Sequence, residues 1–225
     1  MADASISAPI GAWAAGGRIR VTATWLAWGS IIALAVGFVF KYVLFYYRHY
    51  DAASFDTYWP RRTWLFLHIN GGTLALLMGP FQFWSGLRQR YLATHRWTGW
   101  LFLIGVAMGI VGAVGMAIMA VGTWAFEVGL MGLASSWLVT TAMAYYSIRK
   151  GLVALHKEWM IRAYVVTFAF VFFRILSDYT PMAGLRPEAD RDITIAWACW
   201  VVPLAVTEMI FQLKRVQAAV RARVE

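Results

Sequence analysis

RRTWLFLHINGGTLALLMGPFQFW, residues 61 to 84, leads through SGLRQRYLATHR, residues 85 to 96, into WTGWLFLIGVAMGIVGAVGMAIMA, residues 97 to 120. Each long segment carries about 20 apolar residues, the number that a helix rising roughly 1.5 Å per residue needs to cross a hydrocarbon core of about 30 Å. A short basic connection joins them. The three together read as a membrane hairpin, and that reading decides the class of the chain. Its 225 residues are 61% hydrophobic, against roughly 45–50% in an ordinary soluble domain.

On either side of the hairpin the same pattern recurs. A small-residue N-terminal arm, 1–24, leads to a first span at 25–47, and a polar, aromatic loop runs from Arg48 and His49 through Pro60. The hairpin supplies the second and third spans, 63–84 and 97–120. A turn around Gly122, a fourth span at 127–147, a basic segment 149–157 and a fifth span at 159–177 follow. The loop 178–192, with Pro181, Gly184 and Pro187, precedes a sixth span, 193–213, and a basic tail, 214–225. The expected fold is therefore all-α and polytopic, with six transmembrane helices, spans two to five forming a bundle and spans one and six outside it. Residues 1–20 have no apolar stretch ahead of Arg18 and Arg20, so no cleaved leader is expected.

A net charge of +9 raises the question of nucleic acid. The Lys and Arg lie in short clusters between apolar runs, which reads as topology signals and contact with anionic lipid head groups instead. One side collects Arg18, Arg20, Arg88, Arg90, Arg96, Arg149, Lys150, Lys157 and the tail; the other has Arg48, Arg61, Arg62, Arg186 and Arg191 among most of the acids. The positive-inside rule then places both termini in the cytoplasm of a bacterial inner membrane. A single cysteine, Cys199, excludes an intramolecular disulfide and a thiolate-bound iron–sulfur cluster. There is no Walker motif, GxSxG or HExxH, and the ten Met are scattered, without a copper-binding cluster.

Chemistry therefore rests on a few polar residues. His95 and His156 fall at the same depth, at the cytoplasmic starts of the third and fifth spans. Two imidazoles so placed on neighbouring helices are what bis-histidine ligation of a b-type haem needs; their other reading is interfacial hydrogen bonding. Arg96 and its basic neighbours stand ready for propionates, and Gly105, Gly109 and Gly112 offer either a flat face to a macrocycle or a helix-packing seam. Arg162 and Glu208, near the same boundary, read as an ion pair, or as a proton path or quinone head-group site beside His156. Toward the other side lie His68, with Asn70 just beyond it, and Arg174. His68 is either hydrogen-bonded to a neighbouring helix or part of a site, and Arg174 either pairs with Asp178 or faces an anionic ligand beside His68. The stretch 83–97 also resembles 145–159, which suggests that spans two-three and four-five form a parallel repeat.

His68 with Gly71-Gly72, Gly79-Pro80-Phe81-Gln82-Phe83, His95-Arg96-Trp97-Thr98-Gly99, His156 with Trp159-Met160-Ile161-Arg162, and Glu208 resemble, in that order, a bacterial membrane-protein family, domain of unknown function 2306. The resemblance covers about residues 60 to 212 and implies a polytopic inner-membrane protein. Pro203 departs from its pattern, where a small polar residue such as Asn is expected. The chain is more loosely similar to cytochrome b561-type proteins, which commonly hold two haems on two histidine pairs; that implies haem b and electron transfer at His95 with His156, and a second haem at His49 with His68 only if the loop after the first span folds back. A quinone or a respiratory complex is the expected partner. The expected function is thus a redox or haem-associated membrane protein; the competing expectation is a small transporter, or an accessory factor of a respiratory complex, with no cofactor.

Overall fold

A computed structural model describes residues 11–119, 123–184 and 188–223. The expected turn at Gly122, Arg186 and Pro187 lie outside the described residues. Six helical spans are long and apolar enough to cross a membrane: Trp25–Arg48, Ala52–Phe83, Leu92–Ile118, Trp124–Arg149, Val153–Tyr179 and Asp190–Arg221. The start of the first span and the end of the sixth mark one end of the bundle, called here the near side. Half of the fifth span's most apolar stretch is buried inside the protein, against 11% for the first and 17% for the sixth. The fifth span is the axis of the bundle, and the first and sixth face lipid.

Spans two and three are joined along a glycine seam. A Cβ built on Gly105 would sit 2.7 Å from the Ala75 nitrogen and 2.8 Å from the Gly71 carbonyl oxygen; one on Gly112 would sit 2.7 Å from His68 Cα. Nothing larger than hydrogen fits, so the two backbones touch, as small residues allow in a membrane where packing replaces the hydrophobic effect. The expected glycine face on span three is therefore occupied by span two. On the next faces, aromatic rings fill the space above glycines: Tyr164 lies over Gly79, and Trp137 comes within 2.7 Å of where a Gly109 Cβ would be.

The fifth span is broken at Phe168 into Val153–Thr167 and Ala169–Tyr179 without a proline. Next to the break the Thr167 hydroxyl donates to the Ala163 carbonyl at 2.8 Å while accepting the Trp137 indole N–H at 2.9 Å. A side chain bonded into the helical ladder is a recognised source of a bend. The first span holds a second irregularity, a π-helical turn at Val39–Val43. From it, the consecutive residues Lys41 and Tyr42 both reach the Asp178 carboxylate at the end of span five.

Several boundaries differ from expectation. The helix preceding span one starts at Gly11, inside the expected arm, and the sixth runs Glu188–Arg221, so Lys214 and Arg215 of the expected tail are helical. The second extension, KRVQAAVR at 214–221, is rich in Ala and long side chains that favour helix. The sixth helix also passes through Pro203. The loop before span two is mostly helical too, with a turn at Ala52–Phe55 and a 3-10 segment Asp56–Arg61. Asp51 caps it by accepting from the Ser54 N–H at 2.8 Å and the Ser54 hydroxyl, which hold its carboxyl below the usual carboxylate range. Phe55 then drops inward, almost fully buried among Tyr46, Tyr50, Trp59 and Phe66. The loop thereby becomes an aromatic cover over the far side of the bundle. The two connections of the expected repeat differ, one being the short helix Ser85–Arg90 and the other a turn at Gly151, whose φ of 74° suits glycine.

Candidate functional site

Beneath that cover lies a cavity of about 770 Å³. Its walls come from spans one to five and from the cover, and they are mainly apolar, with Leu65, Leu76, Met116, Met131, Trp137 and Phe170 among them. The size and lining are those of a small-molecule site, commonly about 300–1,000 Å³ with a few polar groups that orient the guest. Met side chains give such a wall an adaptable shape.

The polar groups are few and specific. His68 stands about six residues inside the start of its helix at Arg62, and Arg174 five residues before the end of its span at Tyr179, so both lie roughly 7–9 Å in from the far end. The His68 Nδ1 donates to the Gly109 carbonyl at 2.8 Å, a contact the missing Cβ of the seam makes possible. The ring edge packs on Phe170 with centroids 4.8 Å apart. Nε2 is left without a protein partner among the described residues. His68 and Arg174 both line the cavity and lie close enough to interact electrostatically.

Arg174 is held loosely. Asp178, the partner that spacing suggested, is bonded to Lys41 and Tyr42 instead, because the π-helical turn of span one brings both to it. The hydrogen bond that Arg174 makes among the described residues is a long one, 3.5 Å to Tyr46 Oη. Arg61, also on the wall, is committed: its guanidinium donates to the Met116 and Met119 carbonyls at 3.3 Å, closing the end of span three. Thr73, likewise on the wall, has a buried hydroxyl with no hydrogen-bond partner among the described residues. Asn70 faces elsewhere, bonded to the Tyr47 hydroxyl and the Phe66 carbonyl on the side of span one.

The near side is arranged differently. Arg162 is buried, with Nη2 2.6 Å from a Glu208 oxygen and its guanidinium between the rings of Trp159 and Phe211, 4.7 and 4.6 Å away. Glu158 and Arg215 extend the pair into a chain, with Gln212 on the second Glu208 oxygen. This is a clamp fastening span six to span five, with the charges compensated in pairs. His156 donates from Nδ1 to the Ala144 carbonyl at 2.8 Å, while the Nδ1 of His95 is buried without a hydrogen-bond partner among the described residues. The two imidazoles interact electrostatically with each other, and Arg96 and Arg88 act on His95. Arg96 itself is exposed beside Trp97 and Trp100.

Sequence reasoning found His68, Arg174, His95, His156, Arg162 and Glu208 as polar residues in apolar surroundings. It missed Tyr42, Tyr46, Thr73, Arg61 and Glu127 on the cavity wall; a ring of tyrosines in a span end is indistinguishable by composition from interfacial anchoring.

A six-span helical membrane protein with an apolar cavity under an aromatic cover, and an imidazole and a guanidinium on its wall, is the class these observations define. The chain belongs to the family described as predicted membrane protein DUF2306, whose sequence pattern matches residues 65–211. No curated protein and no solved structure matches the chain.

Proposed function

We propose that this protein takes a small amphipathic molecule from the bilayer into the far-side cavity, in the manner of a small transporter or membrane-embedded binding protein. The observation that carries this reading is the loosely held Arg174 on the wall of an apolar cavity of about 770 Å³. A charged side chain inside a span is costly and marks a functional site by default. The guest's apolar body fills the methionine and aromatic walls, and its head lies at His68 and Arg174. The Lys and Arg clusters on the near side support placing both termini in the cytoplasm of a bacterial inner membrane.

Filling the cavity tests it. Ala117→Trp on the span-three wall is expected to leave thermal unfolding of the detergent-purified protein unchanged, while abolishing retention of a small molecule that wild type carries through purification, read by solvent extraction and mass spectrometry. Identical extracts from the two proteins would sink the reading.

A second reading rests on His95 and His156. The hydrogen bond from His156 Nδ1 to a carbonyl leaves Nε2 free, as in histidines that ligate a metal, and the unpartnered Nδ1 of His95 is close by. Haem held by this pair would supply one-electron transfer, with Arg96 and Arg88 near its propionates. The fit is partial, since the ligand nitrogens are present but the glycine face of span three is closed by span two. Haem accordingly stands second. Reduced-minus-oxidised spectra of wild type, His95→Ala and His156→Ala, produced with ample haem, decide it: bands lost in both variants establish the cytochrome, and a featureless wild-type spectrum dismisses it.

A further inference from the structure

Resting on the cavity reading, we infer that the guest is a carboxylate-headed amphiphile and that its binding takes up one proton at His68. Two features of the wall lead there. Arg174 presents a guanidinium fork, the shape that matches a carboxylate with two parallel N–H donors, and no carboxylate of the chain is within ion-pair distance of it among the described residues. On the wall of the same cavity, His68 has already spent its Nδ1 proton on the Gly109 carbonyl at 2.8 Å. In the neutral ring Nε2 is then a bare acceptor. A carboxylate oxygen brought against that lone pair is repelled unless a proton lies between them.

The proton balance follows. Carboxylate, neutral His68 and one proton from bulk water give a complex in which the Nε2–O contact holds that proton, whether it is assigned to the imidazolium or to the acid. No bond other than N–H or O–H forms, and nothing is oxidised. The other titratable and charged groups facing the cavity are Tyr42 and Tyr46 from span one, Tyr58 and Arg61 from the cover, and Glu127 from span four; span three contributes none among the described residues. Of these, Arg61 is committed to carbonyls.

Above about pH 7.5, where free histidine and free carboxylate are both deprotonated, a one-proton uptake makes affinity fall tenfold per pH unit. Calorimetric titration of the full chain in neutral detergent with dodecanoate, in two buffers of different ionisation enthalpy between pH 7.5 and 9, reads both numbers. We expect about one proton taken up. His68→Gln, whose amide brings its own N–H, is expected to bind dodecanoate with no proton uptake and no pH dependence. Arg174→Gln should lose at least tenfold in dodecanoate affinity and leave dodecanol unchanged, while Arg174→Lys, which keeps the charge, recovers part of the loss. Equal wild-type affinity for dodecanol and dodecanoate would overturn the inference and leave the cavity reading standing. So would displacement of dodecanoate by phosphatidylglycerol, which would assign the site to a lipid phosphate. Proton uptake that survives His68→Gln would move the proton elsewhere, and binding of neither probe to the wild type would remove both readings together.

Discussion

One carbon added to Gly112 would lie 2.7 Å from both His68 Cα and the Trp64 carbonyl oxygen, atoms of a helix backbone that cannot turn aside. Gly112→Ala is therefore expected to destabilise the protein by about 1–3 kcal/mol, the usual range for overpacking. Gly37, with nothing within 4 Å of its would-be Cβ, is the control: Gly37→Ala should be neutral or stabilising by roughly 0.5–1 kcal/mol through helix propensity. Unfolding of both variants in mixed micelles measures the difference. The spacing of Gly105, Gly109 and Gly112 was readable in the sequence as one stripe, yet whether it met a helix or a cofactor was not, because a stripe does not name its partner. His68 was readable as a polar residue in a span. Its grouping with Asn70 was not safe: residues two apart on a helix point some 200° from each other, and Asn70 indeed turns toward Tyr47.

The break in span five belongs to the scale of the element. Thr167 ties the Ala163 carbonyl to the Trp137 indole, and the helix resumes at Ala169 carrying Phe170, Phe173 and Arg174 to the cavity wall. Thr167→Val keeps the volume and removes the hydroxyl, leaving the Trp137 N–H buried and unpaired. The expected cost is roughly 1 kcal/mol, since side-chain hydrogen bonds between membrane helices average about 0.6 and reach about 1.7 kcal/mol. A lowered melting temperature, with altered indole fluorescence, would register it; an unchanged melting curve would show that the hydroxyl does not set the break. Nothing in the local sequence around Thr167 or Val39–Val43 signals either irregularity. Each lies beside a contact with another span, Trp137 in one case and Asp178 in the other, and hydropathy along the chain carries no record of such partners.

Across the whole molecule, the six spans were legible because length and apolarity alone are enough to mark them. Burial in the structure orders them, with span five central and spans one and six at the rim. The cavity was not legible, since five spans and a folded-down cover each give it only a few residues. Orientation is checked by reporters: green fluorescent protein fused after Glu225 should fluoresce, and alkaline phosphatase inserted near Asp51 should be active. The reverse pattern would put the cover in the cytoplasm and the basic clusters outside.

The glycine seam also bears on how the protein is made. Spans two and three lie next to each other in the chain, are joined by a short basic connection, and fit along their backbones without help from any other span. They are thus able to pair while the ribosome is still adding the rest. The cavity, by contrast, lacks its Arg174 wall until span five arrives. An insertion intermediate ending at the fourth span would already have its firmest contact while the far-side cavity still lacked a wall, so the cavity is completed last.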